Sequence, residues 1–157
     1  MSESEDKVTG LVGTYRHKVD DKGRVSLPSS FRRVFQQDLV VTLEPGGECL
    51  YVFEPEGFDQ WVAKLLDARF SEFDETNRSH LMLRRVLRAR ASNALVDTSG
   101  RIMLTVEQRT AVGIDKDVVI VGNSFVGDSS PVGYFEIWDA SRYDQLVADF
   151  DLGFLLS

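Results

Sequence analysis

Two aspartate and arginine pairs, each spaced four residues apart around a glycine, are the residues of this chain best suited to chemistry: Asp20 and Arg24 in "VDDKGRVSLPSSFR", and Asp97 and Arg101 in "VDTSGRIMLTVEQR". A carboxylate accepts hydrogen bonds from the amides of a tight turn and from a guanidinium, and a guanidinium held in one direction loses less rotamer freedom when it binds. Gly23 and Gly100 bring the positive φ that such a turn requires without steric cost. An arginine presented in this way suits a phosphate or a guanine edge. A phosphate contact gives affinity without sequence information, whereas a bidentate base contact gives ~1–3 kcal/mol of discrimination. The same spacing also fits a local ion pair closing a hairpin. An exposed pair of that kind contributes only ~0–1 kcal/mol, a weak reason to build it twice.

The elements that must position these pairs are themselves duplicated. Asp20 aligns with Asp97, Gly23 with Gly100, Arg24 with Arg101, Leu27 with Leu104 and Arg32 with Arg109, all at an offset of 77 residues. Further on, "DLVV" (38–41) matches "DVVI" (117–120), and "YVFEPEGFDQWVAKL" (51–65) matches "EIWDASRYDQLVADF" (136–150). A tandem duplication at this scale settles the organisation before any single element does.

In the first copy "TYRHKV" alternates as a half-buried strand, "DDKGR" has turn chemistry and "VSL" continues as a strand, which reads as a hairpin. Pro28 then opens a short helix with Phe31, Val34 and Phe35 on one side. Two apolar strands, "LVVTL" and "CLYVF", flank the "EPGGE" turn, and a helix closes the copy. Between the copies, "DETNRSHLMLRRVLRARAS" reads as a helix starting near Asp74 or Thr76. Leu81, Leu83, Val86 and Leu87 are its candidates for burial, and its arginines fit a solvated face.

At 157 residues and 43% apolar composition the chain can fill the core of one ordinary domain or two small ones. No apolar run approaches the ~20 residues that span a bilayer, and "MSESEDKVTG" lacks the basic and then apolar order of a secretory signal, so the expected compartment is the cytoplasm. Cys49 is the only cysteine, which excludes an intrachain disulfide and a cysteine-rich metal site and marks it as a core residue. No catalytic residue and no cofactor is expected. The acids of the turns lie beside arginines, which lowers their pKa and suits them poorly to general acid catalysis.

A net charge of −7 is unusual for a nucleic-acid binder, but it is unevenly spread. From Arg78 to Arg101 there are six arginines against one acid, Asp97, while residues 102–157 hold three basic and nine acidic residues. A second basic group, including Arg16, Lys18, Lys22, Arg24, Arg32 and Arg33, lies near the start.

With "GTYRHKVDDKGRVSLPSSFR", "CLYVFEPEGFDQW", "DTSGRI" and "VVIVGNSF...YFEIWD" in view, the chain resembles the MraZ family of the SpoVT-AbrB class of DNA-binding transcriptional regulators, from Gly13 to about Leu146. The resemblance implies a β-rich α+β fold of two tandem AbrB-like halves, of the swapped-hairpin type, pairing within one chain, with short helices and a connecting basic helix. The expected divisions are an N-terminal disordered extension at 1–12, a first repeat at 13–66, the connecting helix at 67–90 and a second repeat at 91–150.

It implies a ring-like homo-oligomer that binds double-stranded DNA at repeated promoter sites of its own division and cell-wall gene cluster, in the cytoplasm and at the nucleoid. The site residues carried over are Asp20, Arg24, Asp97 and Arg101; beside them Gly23 is expected to permit the bend, and Lys22, Arg16 and Arg33 to assist Arg24 on DNA. In such a ring, weak contacts repeated on one face gain avidity. Thr105 stands where the first copy has Pro28, and Ser99 where it has Lys22, so the second helix is expected to start less clearly and the first turn to dominate. The 122–135 segment is expected to be a loop extension. The alternative function is a non-enzymatic interaction scaffold using Phe58, Trp61, Tyr143 and the tail "LGFLL".

Overall fold

Apolar runs such as "DLVVTL" and "DVVI" form strands that are covered on both faces, and around them the chain builds a sheet-rich α+β fold. The structure, a computed structural model, describes residues 11–157. In chain order the elements are β1 (Thr14–Lys18), β2 (Arg24–Ser26), α1 (Ser29–Val34), β3 (Asp38–Leu43), β4 (Leu50–Phe53), α2 (Pro55–Phe70) and α3 (Arg78–Ala89). They continue with β5 (Ser92–Leu95), β6 (Arg101–Met103), α4 (Val106–Ala111), β7 (Asp117–Val126), β8 (Pro131–Asp139), α5 (Ala140–Asp149) and a 3-10 helix (Leu152–Leu156). Of the extension expected at 1–12, residues 1–10 lie outside the described residues, while Leu11 is buried in the core.

One antiparallel sheet has the order β1-β7-β8-β4-β3-β5, and β2 pairs with β6 in a separate ribbon. Exchanging the two copies reverses this order onto itself. β1 of the first copy pairs with β7 of the second, from Thr14↔Val121 to Lys18↔Asp117, and β5 pairs with β3. The local hairpin expected of β1 and β2 is therefore reduced to one bridge, Val19↔Val25. The reason is burial: Val25 and Ile102 are 0% and 1% exposed where β2 and β6 meet, so each short strand pairs with its equivalent in the other copy.

Side-chain alternation divides the interior. Leu39, Val41, Val52, Val118, Ile120 and Phe135 face the ribbon, α1 and α4, where they meet Val25, Leu27, Phe31, Ile102 and Leu104. Val40, Phe53 and Tyr134 face the other way and pack with Phe58, Trp61, Val62 and Leu66 of α2 and Leu87 of α3. Each fully buried phenylalanine, such as Phe31, Phe53 or Phe135, contributes ~1.5–3 kcal/mol. Phe58 and Trp61 are thus core residues, whereas Tyr143 is half-buried against Trp138 and the "LGFLL" tail is exposed. Cys49 is fully buried, and burial pushes its thiol pKa up.

Four local expectations are corrected. Thr105 caps α4 with a complete capping box: its hydroxyl accepts from the Gln108 N–H at 3.0 Å and Gln108 Oε1 accepts from the Thr105 N–H. The second short helix thus has a better-defined start than the first, whose N-cap, Pro28, makes no side-chain cap bond. The 122–135 segment is a hairpin rather than a loop, because β7 and β8 stay paired as far as Val126↔Pro131. Its tip docks on α2, with Lys64 Nζ donating to the Val126 carbonyl at 2.7 Å. The inter-copy helix begins at Arg78, capped by Asn77, whose side chain accepts from the Ser79 and His80 amides, and Val86, expected to be buried, is 42% exposed. Residues 67–70 belong to α2.

Candidate nucleic-acid interface

Asp20 organises the first turn. Its Oδ1 accepts from the backbone N–H groups of Lys22 and Arg24, both at 2.9 Å, and its Oδ2 accepts from Arg24 Nε at 2.8 Å. The Asp20 N–H donates to the Arg24 carbonyl and the Gly23 N–H to the Asp20 carbonyl. Asp97 repeats the arrangement, with Oδ1 accepting from Ser99 and Arg101 N–H at 2.9 Å and Oδ2 from Arg101 Nε at 3.1 Å. Gly23 and Gly100 take φ of +84° and +78°. The Arg24 amide, together with its guanidinium and the Lys22 amide, holds the Asp20 carboxyl below its ordinary pKa. The amides of Arg101 and Ser99 and the Arg101 charge do the same for Asp97. Both carboxylates are therefore ionised wherever the arginines must be aimed.

The two turns hold each other. Leu27 N–H donates to the Gly100 carbonyl at 2.9 Å, and Leu104 N–H donates to the Gly23 carbonyl at 2.8 Å. Arg32 of the first copy lies against Gly100, and Arg109 of the second lies against Gly23. Arg109 Nε also donates to the Leu104 carbonyl at 3.3 Å. Neither Arg32 nor Arg109 is among the site residues anticipated from the sequence. The available signal was their alignment with one another at the repeat offset.

The ribbon register places Arg24 opposite Met103 and Ser26 opposite Arg101. Because strand side chains alternate, Arg24, Ser26, Arg101 and Met103 share the outer face, while Val25 and Ile102 face the core. Each arginine uses Nε for its aspartate, which holds its guanidinium in one direction. One ribbon thus carries two oriented guanidinium groups, with Lys22 exposed beside the first.

The assisting residues are placed differently. Arg33 is exposed in the last turn of α1. Arg16, on β1, is paired with Asp144 of α5 at 2.6 Å, so its charge is locally neutralised. Of the arginines of α3, Arg84 pairs with Glu75 and Arg88 with Asp59, each at 2.8 Å. Among the described residues no cluster of three or more His, Cys, Asp and Glu could hold a metal ion, and no helix is long and apolar enough to cross a membrane.

The fold and these turns define a duplicated, sheet-rich module whose halves jointly present two oriented arginines on one ribbon. Residues 11–81 match the sequence model of the family described as "MraZ protein, putative antitoxin-like". The chain is 35% identical over 141 residues to a protein of Saccharopolyspora erythraea, covering 90% of this chain and 89% of that one. It is 33% identical over 149 residues to one of Lachnoclostridium phytofermentans, covering 94% and 99%, and 30% identical over 142 residues to one of Mycoplasmoides gallisepticum, covering 90% of each. The chain belongs to the MraZ family. All three relatives bear the name Transcriptional regulator MraZ, the name of a regulator and not of an enzyme.

Proposed function

We propose that this chain is a sequence-specific, DNA-binding transcriptional regulator that contacts double-stranded DNA through the Asp20–Arg24 and Asp97–Arg101 turns. The observation that carries the reading is the side-by-side presentation of Arg24 and Arg101 on the β2–β6 ribbon, each fixed by its own aspartate. Preformed arginines of this kind contact phosphates or guanine edges at low entropic cost. Lys22 adds positive charge to the first turn only, which favours that turn as the stronger contact, with Arg33 of α1 assisting. The relatives' shared name supports the regulatory role. The exchanged pairing of β1 and β5 supports the reading of the halves as tandem AbrB-like units of the swapped-hairpin type.

In this reading the protein acts in the cytoplasm at the nucleoid, on repeated sites upstream of its own division and cell-wall genes. A ring of subunits there converts weak single contacts into avid binding. The test is binding of the full-length protein to DNA from upstream of its own gene, with and without Arg24→Ala. Retention of specific affinity by a folded, oligomeric Arg24→Ala protein would overturn the assignment.

A further inference from the structure

The outer face of the β2–β6 ribbon has four corners. Arg24 stands directly opposite Met103 and Ser26 directly opposite Arg101, so exchanging the two copies carries Arg24 onto Arg101 and Ser26 onto Met103. Three corners are filled as a nucleic-acid surface would fill them, by two guanidinium groups and a hydroxyl. The fourth is a thioether. Met103 is 53% exposed and belongs to neither apolar cluster of the interior, whereas its neighbours Ile102 and Leu104 are each 1% exposed. A single exposed apolar side chain is ordinary on a protein surface. This one shares a face with two aspartate-held arginines, where any ligand of those arginines must also meet it.

The chemistry of a DNA duplex narrows what Met103 meets. Phosphates offer a thioether no favourable contact, and among the groups that base edges present in the major groove the thymine C5 methyl is the apolar one. That groove admits a two-stranded ribbon. Directly opposite residues of such a ribbon have Cβ atoms ~4.5–5.5 Å apart, while successive base pairs are stacked ~3.4 Å apart. A side chain opposite Arg24 therefore meets the base pair next to the one that Arg24 contacts. Methionine suits the task, because it is unbranched and polarizable and adapts its shape to what it touches. The corresponding corner opposite Arg101 holds Ser26, whose hydroxyl both donates and accepts and so discriminates little among bases. Lys22 also lies beside Arg24, with Ser99 as its counterpart in the second turn. Both departures from the repeat thus fall on the same half of the ribbon.

We propose that Met103 is a specificity-determining residue that contacts the C5 methyl of a thymine next to the base pair contacted by Arg24, so that the two halves of one ribbon read unequal sequences. This rests on the proposed function, and adds to it the base that flanks the arginine contact and the residue that selects it. The second copy thereby serves the first copy's turn, since the thymine beside Arg24 is read from β6. The half-site facing Arg101 and Ser26 makes no such demand.

Exchanging thymine for uracil removes the C5 methyl and leaves every hydrogen-bonding group of the base in place, which isolates the contact. The full-length protein is titrated by fluorescence anisotropy with duplexes from upstream of its own gene in which one thymine at a time is replaced by uracil. The wild type is expected to lose roughly fourfold in affinity at one thymine of each contacted site, the worth of one methyl group withdrawn from water, and little elsewhere. Met103→Ser, which copies Ser26, is expected to bind the thymine and uracil duplexes equally, at the affinity of the wild type for the uracil duplex. Ser26→Met is expected to gain a second uracil-sensitive position in the other half-site. Both positions are exposed, so both variants are expected to melt as the wild type does.

A wild type that binds every uracil duplex as tightly as the thymine duplex would overturn the proposal. So would a uracil loss of the same size in Met103→Ser, which would set the methyl against another residue. The wild type and Arg24→Ala separate the two readings. A wild type that retains no DNA sinks the regulator reading and this contact with it. DNA held by the wild type and released by Arg24→Ala, with no dependence on the methyl, leaves the regulator reading standing and removes only the role of Met103.

Discussion

Arg101 Nη1 stands 3.8 Å from Asp20 Oδ2, the same oxygen that accepts from Arg24 Nε. One carboxylate therefore faces the arginines of both copies, and the two turns form a single electrostatic unit across the ribbon. Asp97, by contrast, orients Arg101 alone among the described ion pairs. This inequality, with Lys22 opposite Ser99 in the alignment, makes the two turns distinguishable by experiment.

Arg24→Ala is expected to weaken specific DNA binding by roughly 5- to 150-fold, corresponding to ~1–3 kcal/mol, and Arg101→Ala by less. Fluorescence anisotropy with promoter DNA measures both. An equal loss from the two variants would contradict the dominance of the first turn.

Lys22→Ser converts the first turn into a copy of the second. If Lys22 contacts a phosphate, the slope of log affinity against log salt is expected to become shallower by ~0.9 for each contact removed, with little change in base preference. A titration across salt concentrations reads this directly.

Gly23→Ala is expected to destabilise the fold by ~1–3 kcal/mol, and by more than Gly100→Ala, in urea denaturation. Both glycines have positive φ, but an added Cβ at Gly23 would lie 2.7 Å from the Leu104 carbonyl oxygen, which is backbone. At Gly100 it meets the side chain of Arg32, which can move aside.

Acid is expected to weaken the turns. The folded-state pKa of Asp20 lies below its ordinary value, so the stability it contributes is present above that value and is lost as pH falls through the depressed one. The gap in urea midpoint between wild type and Asp20→Asn should therefore close on acidification. A gap that widened would mean that Asp20 is not held as an anion.

Thr105→Ala removes the hydroxyl that caps α4 and is expected to cost ~0.5–2 kcal/mol in the same assay.

The parts of this molecule legible from sequence are those governed by near neighbours. Asp20, Gly23 and Arg24 lie within five residues, and their types specify the turn that forms. The duplication was equally readable, since it needs only the chain compared with itself. The strand exchange came only with the family resemblance and not from the local pattern, because "TYRHKV" alternates identically whether it pairs with β2 or with β7, and the choice depends on burying Val25 against Ile102. The capping box Thr105-x-x-Gln108 was present in the letters, but the missing proline drew attention to what the second helix lacked. Arg32 and Arg109 were aligned as equivalents without a role, because contact with the other copy's glycine exists only after the halves meet.

The mutual completion of the halves has a consequence for how such a chain can change. When two identical separate subunits associate, every substitution appears on both sides of the axis at once. Here β1 is held by the second copy and β5 by the first, yet one covalent chain encodes both. Each side can then vary singly while its counterpart stays fixed. Lysine at one turn and serine at the other, a proline start beside a threonine cap, and a long hairpin on one side only are asymmetries that a symmetric pair of separate chains has no means to inherit.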